Sequence, residues 1–525
     1  MPNRKKVPEV DLIKFHQSLI PDVYLTDEQK LHSKRLDRLI HSFRTRYRHP
    51  PYFFTRSPGR VNIIGEHIDY CGFSVLPTAI EFDLMVACSF DHQPDSSSED
   101  QYDIPTIKPF SQFVEVSLSN TNPQFQPHQF SFTFDSNQTH HHIPRCPTGG
   151  WVNYVKASLE SVLNSIENVY QVSVPSKINL LFDGNLPIGS GLSSSATMTI
   201  GSVLSFRRLL SPKSKVIKKH LVIKLAIESE RSCGISVGGM DQTASVFGEI
   251  NKLLYIQFTP DQKVIPISFP TNPPSTFVIA NSLIKSTKLD AAKHQYNLRV
   301  IETRIGSKLI IKHFLPKTSS QNQINLKGIM DQIGWETDVM KHEVLGDENG
   351  LEIGQVLEML EIGMDQFVSE VEDGIEAIPL KGRYMVFNRI RHVLTEAKRV
   401  EEFKDLILNQ TSETEHILEK LGNLMNLSHQ SCSKDYDCSC PELDELIEIG
   451  LKYKSLGSRL TGAGWGGSTI HLIKDEDLDG FLNVLKQDYY LKRFPNLNQD
   501  ELSSALFTSK PSSGSCILDS SFFLM

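Results

Sequence analysis

The chain has 525 residues, of which 39% are hydrophobic and 22% charged, and its formal net charge is −8 at pH 7. This composition is typical of a folded protein with two or three domains. The acidic balance argues against a nucleic-acid-binding or membrane-surface protein, because both need a basic surface. The first residues lack the apolar run of a signal peptide, and no segment reaches membrane-span length, so we expect a cytoplasmic protein.

The N-terminal part predicts a tail and one packing helix. We expect residues 1–30 to form a polar tail. In LHSKRLDRLIHSFRTRY, which follows, apolar side chains recur at helical spacing, so we predict a helix with one buried face. The residues that this pattern places on one face are Leu31, Leu36, Ile40 and Phe43.

A polar turn is predicted within SPGRVNIIGEHIDYCGFSVLP, residues 57–77. Short apolar runs punctuated by glycine are typical of strands joined by a turn. This turn carries Glu66, His67 and Asp69. Carboxylates and imidazole accept hydrogen bonds from adjacent hydroxyls in a fixed pattern, so the turn suits a polyol. A solvated acidic turn is the alternative.

Residues 91–147 are rich in serine, asparagine, glutamine, proline and histidine, and we predict a β-containing region with mobile inserts. Two predicted strands, VEVSLS and FSFTF, lie inside it. Helical apolar spacing follows from Trp151 to Val169. The predicted strand SKINLLFDG then leads into LPIGSGLSSSATMTIG, residues 186–201.

This glycine- and serine-rich stretch can pass from a tight turn into a helix. Gly189 and Gly191 let the main chain approach a ligand closely. The free N–H groups and dipole of the following helix suit an anion such as a polyphosphate. Hydroxyls of Ser193, Ser194 and Ser195 can bind phosphate oxygens or a hydrated magnesium ion. The stretch lacks the lysine of the Walker-type loop, and an ordinary serine-capped helix is the alternative.

The remaining chain alternates helices with two further glycine-rich turns. A predicted helix from about Lys218 to Glu230 precedes the turn GISVGGMDQTASVFG, which carries Asp241. The proline-rich stretch TNPPS is the best domain boundary, because FVIANS after it begins a new strand. Further on, we predict a helix over residues 288–314, mainly amphipathic helix over 315–450, and a glycine-dense loop with a strand in GSRLTGAGWGGSTIHLI, residues 457–473.

Together these stretches resemble the GHMP kinase superfamily and, within it, the galactokinases. SPGRVNIIGEHIDYCGFSVLP resembles the galactokinase signature, GSGLSSSA the phosphate loop, GGMDQ the catalytic-aspartate segment and LTGAGWGG the third glycine motif. QYNLRV and YDCSCPELD resemble the larger eukaryotic members. The resemblance implies an α+β fold of two domains with the active site in the cleft. These are a ribosomal protein S5-like N-terminal domain over residues 31–272 and a ferredoxin-like C-terminal domain over residues 273–525.

The resemblance also implies roles for individual residues. Arg60 and Asp241 would be the catalytic pair. With that pair, the residues implied to hold the sugar are Glu66, His67, Asp69, Gly238 and Tyr296. The residues implied to bind ATP are Gly189, Gly191, Ser193, Ser194 and Ser195, with Trp151, Tyr154, Ser286 and Lys288 near the adenine. Ser195 and Glu230 match the family's magnesium positions, although Glu230 lies eleven residues before Asp241, a spacing that shifts by one among galactokinases.

The implied reaction is the ATP-dependent phosphorylation of α-D-galactose at its C1 hydroxyl, the first committed step of galactose catabolism, with Mg²⁺ as cofactor. A guanidinium beside a carboxylate favours the charged form, so Arg60 would keep Asp241 ionised but make it a weaker base. A loose transition state needs little early deprotonation of the nucleophile. We therefore hypothesise that Asp241 orients the hydroxyl and receives its proton late, whereas Arg60 stabilises charge on the transferring phosphoryl group. The alternative role for Asp241 is a helix N-cap.

Two rival functions belong to the same family. N-acetylgalactosamine kinases tend to carry phenylalanine where this chain has Tyr296, so Tyr296 favours galactose as the substrate. Some yeasts have a sensor that binds galactose and ATP and then a transcriptional repressor, but it lacks the Ser-Ala pair of the phosphate loop. Ser195 and Ala196 are intact here, so we expect catalysis. A bifunctional kinase and sensor, with a repressor as partner, is a further alternative, and we expect neither nucleic acid nor membrane as a partner.

Overall fold

The computed structural model describes residues 11–16, 23–24, 29–91, 111–166, 174–187, 189–211, 216–284, 295–315, 325–373, 375, 382–409 and 416–519. Within these residues the chain forms one large and two smaller β-sheets, with helices packed against them. The predicted α+β class is therefore confirmed. No helix in the described part of the chain is both long and apolar enough to cross a membrane.

A seven-stranded mixed sheet forms the core of the first half of the molecule. Its strands are β1 (Lys14–His16), β2 (Phe53–Asn62), β3 (Pro77–Asp91), β4 (Ser111–Asn120), β5 (His128–Asp135), β6 (Lys177–Gly184) and β13 (Cys516–Asp519). From edge to edge they run β1-β13-β2-β3-β6-β4-β5. The long central strands β2 and β3 are antiparallel and almost entirely buried, because helices cover both of their faces. The predicted strands VEVSLS, FSFTF and SKINLLFDG are confirmed as β4, β5 and β6.

Helices cover the two faces of this sheet unequally. They are α1 (Gln29–Tyr47), α2 (Trp151–Asn164), α3 (Ser194–Leu210), α4 (Lys219–Arg231) and α5 (Met240–Phe247). Helix α3 is buried nearly all round and packs on β2 and β3, between the sheet and its neighbours α2 and α4. Helix α1 covers the opposite face, where its side chains meet Met85, Ala87 and Leu181. Successive residues of a strand point to opposite faces, so β3 contributes to both layers.

The predicted apolar face of α1 is partly wrong. Leu36 and Phe43 are buried as predicted, but Leu31 is 60% exposed and Leu39 is buried in addition. The buried stripe also contains Arg35, whose guanidinium reaches carboxylates of the sheet. A pattern of apolar residues alone does not reveal that a charged residue lies on the buried side of a helix. Because Arg35 is part of the buried face of α1, that face is centred away from Leu31.

A hairpin and a second sheet follow. The hairpin consists of β7 (Lys252–Gln257) and β8 (Lys263–Ser268). The second sheet contains β9 (Ser275–Asn281), β10 (Gly457–Thr461), β11 (Ser468–Lys474) and β12 (Leu506–Ser509), ordered β10-β11-β9-β12 with antiparallel neighbours throughout. The strand predicted at FVIANS is confirmed as β9. The glycine-dense loop predicted near residue 460 lies between β10 and β11.

The rest of the described second half is mainly helical, as predicted for residues 288–314 and 315–450. Its helices are α6 (Asn297–Phe314), α7 (Leu326–Ile333), α8 (His342–Leu345), α9 (Ile353–Leu360), α10 (Met364–Phe367), α11 (Val386–Leu408), α12 (Ile417–Lys434), α13 (Pro441–Lys452), α14 (Leu478–Leu485) and α15 (Gln499–Ala505). Helices α12 and α13 pack on β10, and α11 packs against α6 and α12. The helix predicted over residues 288–314 is α6, and residues 285–294 lie outside the described part of the chain.

Both ends of the described chain return to the first sheet. Strand β13 pairs antiparallel with β2, and β1 pairs parallel with β13. An unpaired edge of β2 would expose a row of backbone N–H and C=O groups, which the terminal strands cover. Residues 14–16, which were predicted to lie in a polar tail, and residues 516–519, which were predicted to lie in the C-terminal domain, therefore belong to the first sheet. The predicted domain boundaries at residues 30 and 272 stay predictions.

A buried charge cluster joins α1 to the sheet. The Asp83 carboxylate accepts hydrogen bonds from Arg35 Nη1 (2.6 Å), Arg56 Nε (2.5 Å) and the Tyr24 hydroxyl (2.5 Å). Arg56 also donates from Nη1 to the Ser513 carbonyl (2.8 Å), near the C-terminal strand. Asp83 and Arg56 are wholly buried, so the cluster links three elements of the first half through paired charges.

Candidate active site

Two residues that are far apart in sequence form an ion pair at the centre of the molecule. Arg60, near the end of β2 and just after a register shift, donates from Nε to Asp241 Oδ1 over 2.8 Å. Asp241 lies in the first turn of α5, which begins after Gly239 with φ +117°. Arg60 also donates from Nη1 to the Gly191 carbonyl over 2.6 Å. The predicted catalytic pair therefore lies directly against the phosphate loop.

The segment before Asp241 approaches the polar turn too closely for any side chain. A Cβ at Gly238 would lie 2.4 Å from Asp69 Oδ2 and 2.5 Å from the Tyr70 nitrogen. Asp69 Oδ2 accepts a hydrogen bond from the Met240 N–H over 3.1 Å, which joins the polar turn to the start of α5. Burial raises the pKa of the Asp69 carboxyl. Glycine at position 238 is required by this contact.

The carboxylate of Glu66 is held by hydrogen bonds from both halves of the chain. Its Oε2 accepts hydrogen bonds from Arg459 Nη2 on β10 (3.1 Å) and from Asn62 Nδ2 (3.3 Å). Burial raises the pKa of Glu66, and the neighbouring Arg459 guanidinium opposes that rise. The carboxylate is therefore desolvated but paired, which is the usual arrangement for a buried acid.

His67 is a neutral histidine whose two ring nitrogens are both bonded. The Ala463 carbonyl can only accept, so Nε2 carries the proton and donates to it over 2.9 Å. Nδ1 then accepts from the Tyr70 hydroxyl (3.2 Å), which forms a short hydrogen bond with the Tyr436 hydroxyl. Burial lowers the pKa of His67 to about 3. The ring thus offers a ligand no free nitrogen, and His67 departs from the predicted role of hydrogen-bond acceptor.

All the residues predicted to hold the sugar line one cavity. Tyr296 closes one side, with its ring centroid 5.5 Å from that of His67. The side chains and backbone that line the cavity are Arg60, Glu66, His67, Asp69, Gly238, Asp241, Tyr296 and, beyond the prediction, Val237, Gly239, Met240, Gln242 and Ala463. Carboxylates and a guanidinium converge here, and the chemistry of this lining suits a polyhydroxylated ligand.

The phosphate loop has the predicted turn-to-helix geometry. Gly189 and Gly191 both have φ +73°, and Ser193 has φ +64° immediately before α3 begins at Ser194. The hydroxyl oxygens of Ser193 and Ser195 are buried and have no hydrogen-bond partner among the described residues. Buried hydroxyls are normally satisfied, so these two point to a ligand that accepts or donates hydrogen bonds.

The third glycine motif packs directly on the phosphate loop. At Gly462, with φ +86°, a Cβ would lie 2.4 Å from the Gly191 carbonyl oxygen. Ser468 Oγ donates to the Ser190 carbonyl over 2.7 Å. Close backbone contact between the two loops requires glycine and joins the first half to the second beside the cavity.

The predicted adenine and metal residues lie on neighbouring helices. Trp151 begins α2 and packs edge-on against Phe182, and burial raises the pKa of Tyr154 one turn further on. Glu230 is fully buried near the end of α4, where Oε2 accepts from Gln242 Nε2 over 3.0 Å. Glu230 thus contacts the residue that follows Asp241. Ser286 and Lys288 lie outside the described residues.

The sequence-based prediction missed the residues whose hydrogen bonds hold the polar turn in place. Arg459 and Ala463 belong to the third glycine motif, and Tyr436 to YDCSCPELD, but none of them was assigned a role. Asn62 and Tyr70 lie within the signature stretch itself. Their membership of matched motifs was the available signal, because motif residues without a ligand role often position those that have one.

Comparison with known proteins identifies related sequences along nearly the whole chain. Three family models match: the galactokinase galactose-binding signature over residues 41–90, the GHMP kinases N terminal domain over 153–249 and the GHMP kinases C terminal region over 414–491. Galactokinase of Schizosaccharomyces pombe is 34% identical over 95% of this chain and 98% of its own. Galactokinase of Saccharomyces cerevisiae is 31% identical over 93% and 95%.

A solved structure has the same fold. Lactococcus lactis galactokinase, determined in complex with galactose, superposes with a TM-score of 0.61 and 22% identity over 92% of this chain and 99% of its own. Together with the matched N- and C-terminal GHMP models, this confirms the predicted two-domain GHMP kinase fold.

Proposed function

The chain belongs to the galactokinase family, and we propose that it transfers the γ-phosphoryl group of ATP to the C1 hydroxyl of α-D-galactose, forming galactose 1-phosphate and ADP. The observation that carries this proposal is the position of Arg60. Its guanidinium bonds both to Asp241, in the polar cavity, and to the Gly191 carbonyl of the phosphate loop. A nucleophile in the cavity and a triphosphate on the loop would therefore meet at this ion pair.

Asp241 and Arg60 divide the chemistry in this proposal. Asp241 accepts the hydrogen bond of the C1 hydroxyl, aims its oxygen at the γ-phosphorus and receives the proton late. Arg60 stabilises the negative charge that spreads over the transferring oxygens, from a buried position where such an interaction is strong. The ion pair orients both groups before substrate binds, so little reorganisation is needed during transfer.

Sugar selection is proposed to reside in the polar turn. Glu66 and Asp69 accept hydrogen bonds from the hydroxyls, the main chain of Gly238 lines the cavity, and Tyr296 packs against the sugar beside His67. A site built on such bonds rejects an epimer by about 10⁴-fold or more, because the misplaced hydroxyl leaves buried groups unpaired.

Magnesium is proposed as the cofactor of the bound triphosphate. The Ser195 hydroxyl, which has no hydrogen-bond partner in the described part of the chain, and the buried carboxylate of Glu230 are hard oxygen donors of the kind that Mg²⁺ prefers, so the residues present fit the ion. When bound, the ion neutralises charge on the phosphate oxygens. The described residues contain no group of three or more His, Cys, Asp or Glu side chains suited to a metal, so phosphate and water would complete its coordination.

Replacing Ser195 by alanine tests the phosphate loop. Because the Ser195 hydroxyl has no hydrogen-bond partner among the described residues, the substitution leaves no other group unpaired there, and we expect the thermal unfolding midpoint to stay unchanged. Loss of a preorganised ligand of the transferring group should lower kcat/KM for ATP by about 10²-fold. Ser202→Ala is the matched control, since its hydroxyl bonds to the Met198 carbonyl on the same helix. Equal activity of the two variants would contradict the assignment.

An ADP-release assay across four sugars tests the proposed reaction. Galactose and 2-deoxygalactose, which share the C1 and C4 hydroxyls, should be phosphorylated, whereas glucose, the C4 epimer, should be rejected. N-acetylgalactosamine should be the poorer substrate, because this chain has Tyr296 where N-acetylgalactosamine kinases tend to carry phenylalanine. Faster turnover of N-acetylgalactosamine would replace the proposal with the rival kinase. Retention of a transcriptional repressor with galactose and ATP would add the sensor role, which stays an alternative. The cytoplasmic location stays a prediction.

A further inference from the structure

We infer that Arg459 is the positioning residue that aims Glu66 at the sugar and favours its ionised form, so that the second half of the molecule acts on the sugar site. This inference rests on the proposed function. Arg459 lies on β10 and is wholly buried, and its Nη2 donates to Glu66 Oε2 over 3.1 Å. Glu66 itself lies in the turn after β2, in the first half.

The guanidinium of Arg459 is fixed in three directions. Besides Glu66, it donates from Nη1 to the Asn62 carbonyl (2.8 Å) and from Nε to Ser428 Oγ (3.1 Å). The fork of an arginine is planar and rigid, so these bonds define its position and plane. The carboxylate of Glu66 must follow that plane, which sets the direction in which it faces the cavity.

A second carboxylate supports this arrangement from helix α11. Glu396 Oε1 accepts from the Gly65 N–H (2.8 Å) and from Ser428 Oγ (2.6 Å), while Oε2 accepts from Arg399 Nε (2.7 Å). Burial opposes ionisation of Glu396, but Arg399 and Arg459 lower its pKa to about 2. The backbone of the polar turn is thus held by α11, and the Ser428 hydroxyl links Arg459 to Glu396.

Charges from several elements act on the Glu66 carboxyl. Burial raises its pKa most, Arg459 and then Arg60 lower it, and Asp241 raises it. His392 on α11, which donates to the Glu66 carbonyl over 3.0 Å, is neutral because burial lowers its pKa to about 4. The buried groups nearby that stay uncharged also include His67 and the Cys438 thiol, whose pKa burial raises. Arg459 is therefore the hydrogen-bonded cation that opposes the effect of burial on the Glu66 pKa.

The charge state of Glu66 matters because it decides what the site recognises. An ionised carboxylate only accepts hydrogen bonds, whereas a protonated one donates from one oxygen. A sugar hydroxyl that donates to Glu66 loses that bond when the acid is protonated. Loss of Arg459 should thus weaken galactose binding in a pH-dependent way, which simple loss of packing would not do.

The test is the pH profile of kcat/KM for galactose in Arg459→Gln. Removing a hydrogen-bonded opposite charge raises a carboxyl pKa by about 1–3 units, so the acid limb should move to higher pH by at least about one unit. KM for galactose should rise while KM for ATP stays unchanged. Arg459→Lys, which retains the charge without the fork, should restore the acid limb but only part of the galactose affinity.

Two further variants separate this role from a structural one. In a Glu66→Gln background, Arg459→Gln should no longer move the acid limb, because the titrating group is gone. Arg35→Gln is the matched control, since it removes another buried arginine, on α1, and should lower stability without moving the limb. An acid limb that moves equally with Arg35→Gln would overturn the inference.

Failure of this inference and failure of the proposed function give different results. If the wild-type protein does not phosphorylate galactose, the proposed function fails. If it does and Arg459→Gln has the wild-type acid limb, the inference alone is overturned. Should Arg459→Gln not fold, Arg459→Lys decides the question, because it keeps the charge but not the planar fork that aims Glu66. A wild-type KM for galactose in Arg459→Lys would then overturn the inference.

Discussion

Asp241→Asn should lower kcat by about 10²–10⁴-fold, the usual contribution of a positioned proton acceptor. The amide keeps the shape of the carboxylate and can still accept the hydrogen bond from Arg60 Nε, so the fold and the Arg60 position should survive. It cannot take the hydroxyl proton, and it leaves the Arg60 charge uncompensated. We expect KM for ATP to change little, because the phosphate loop is untouched. Steady-state ADP release measures kcat and KM, and a thermal unfolding curve measures whether the fold survives.

The control for this substitution is Asp500→Asn, an exposed aspartate in the first turn of α15. It makes the same chemical change away from the cavity and should leave kcat within twofold, since surface substitutions are usually nearly neutral. Turnover of Asp241→Asn near the wild-type rate would refute the assignment of Asp241 as proton acceptor and leave Arg60 as the principal catalytic group.

Asp83→Asn should be the most destabilising of the substitutions considered, by about 3–5 kcal/mol in the free energy of unfolding, because it leaves the buried Arg56 guanidinium without its counter-ion. Arg56 would keep its backbone acceptor at Ser513 but no carboxylate, whereas Arg35 would keep Asp183. The loss should detach α1 from the sheet without touching the cavity. Urea unfolding followed by circular dichroism measures the change.

The pH dependence of that loss has a definite sign. Burial alone would raise the pKa of Asp83, but Arg35 and Arg56 hold it well below its usual range. A carboxyl with a lowered pKa in the folded state contributes stability above its unfolded pKa of about 4, and this is lost as the pH falls towards the folded value. The difference between wild type and Asp83→Asn should therefore be full at pH 7 and shrink below about pH 4.

Glu448→Gln is the control for the charge cluster. It breaks an exposed pair with Lys452 at 3.7 Å, and exposed pairs contribute only about 0–1 kcal/mol. A loss in Asp83→Asn no larger than in this variant would show that the buried cluster does not hold α1 to the sheet.

The parts of the site that are local in sequence could be predicted. The phosphate loop, the polar turn and the start of α5 are each a short run in which glycine conformation and helix geometry decide the structure. Their meeting at one cavity came from the family resemblance, since no periodicity or composition relates Arg60 to Asp241. The strands and helices with strong apolar patterns were predicted for the same local reason.

The parts that depend on distant partners could not be predicted. The hydrogen bond from His67 to the Ala463 carbonyl cannot be predicted from residue types, because its acceptor is a backbone atom. The pairing of Arg459 with Glu66 joins residues 393 positions apart. Strands β1 and β13 have three and four residues, too short for a pattern of alternation, and they form because the edge of β2 needs partners.

A crystal structure with galactose and a non-hydrolysable ATP analogue tests the central claim most directly. The account predicts that the galactose C1 oxygen lies within about 2.6–3.2 Å of the Asp241 carboxylate. It also predicts that the triphosphate lies on the backbone N–H groups of the loop at residues 189–195, with Arg60 between them. A sugar that instead occupies the neighbouring cavity lined by Arg231 and Arg304, or phosphates bound away from that loop, would contradict it.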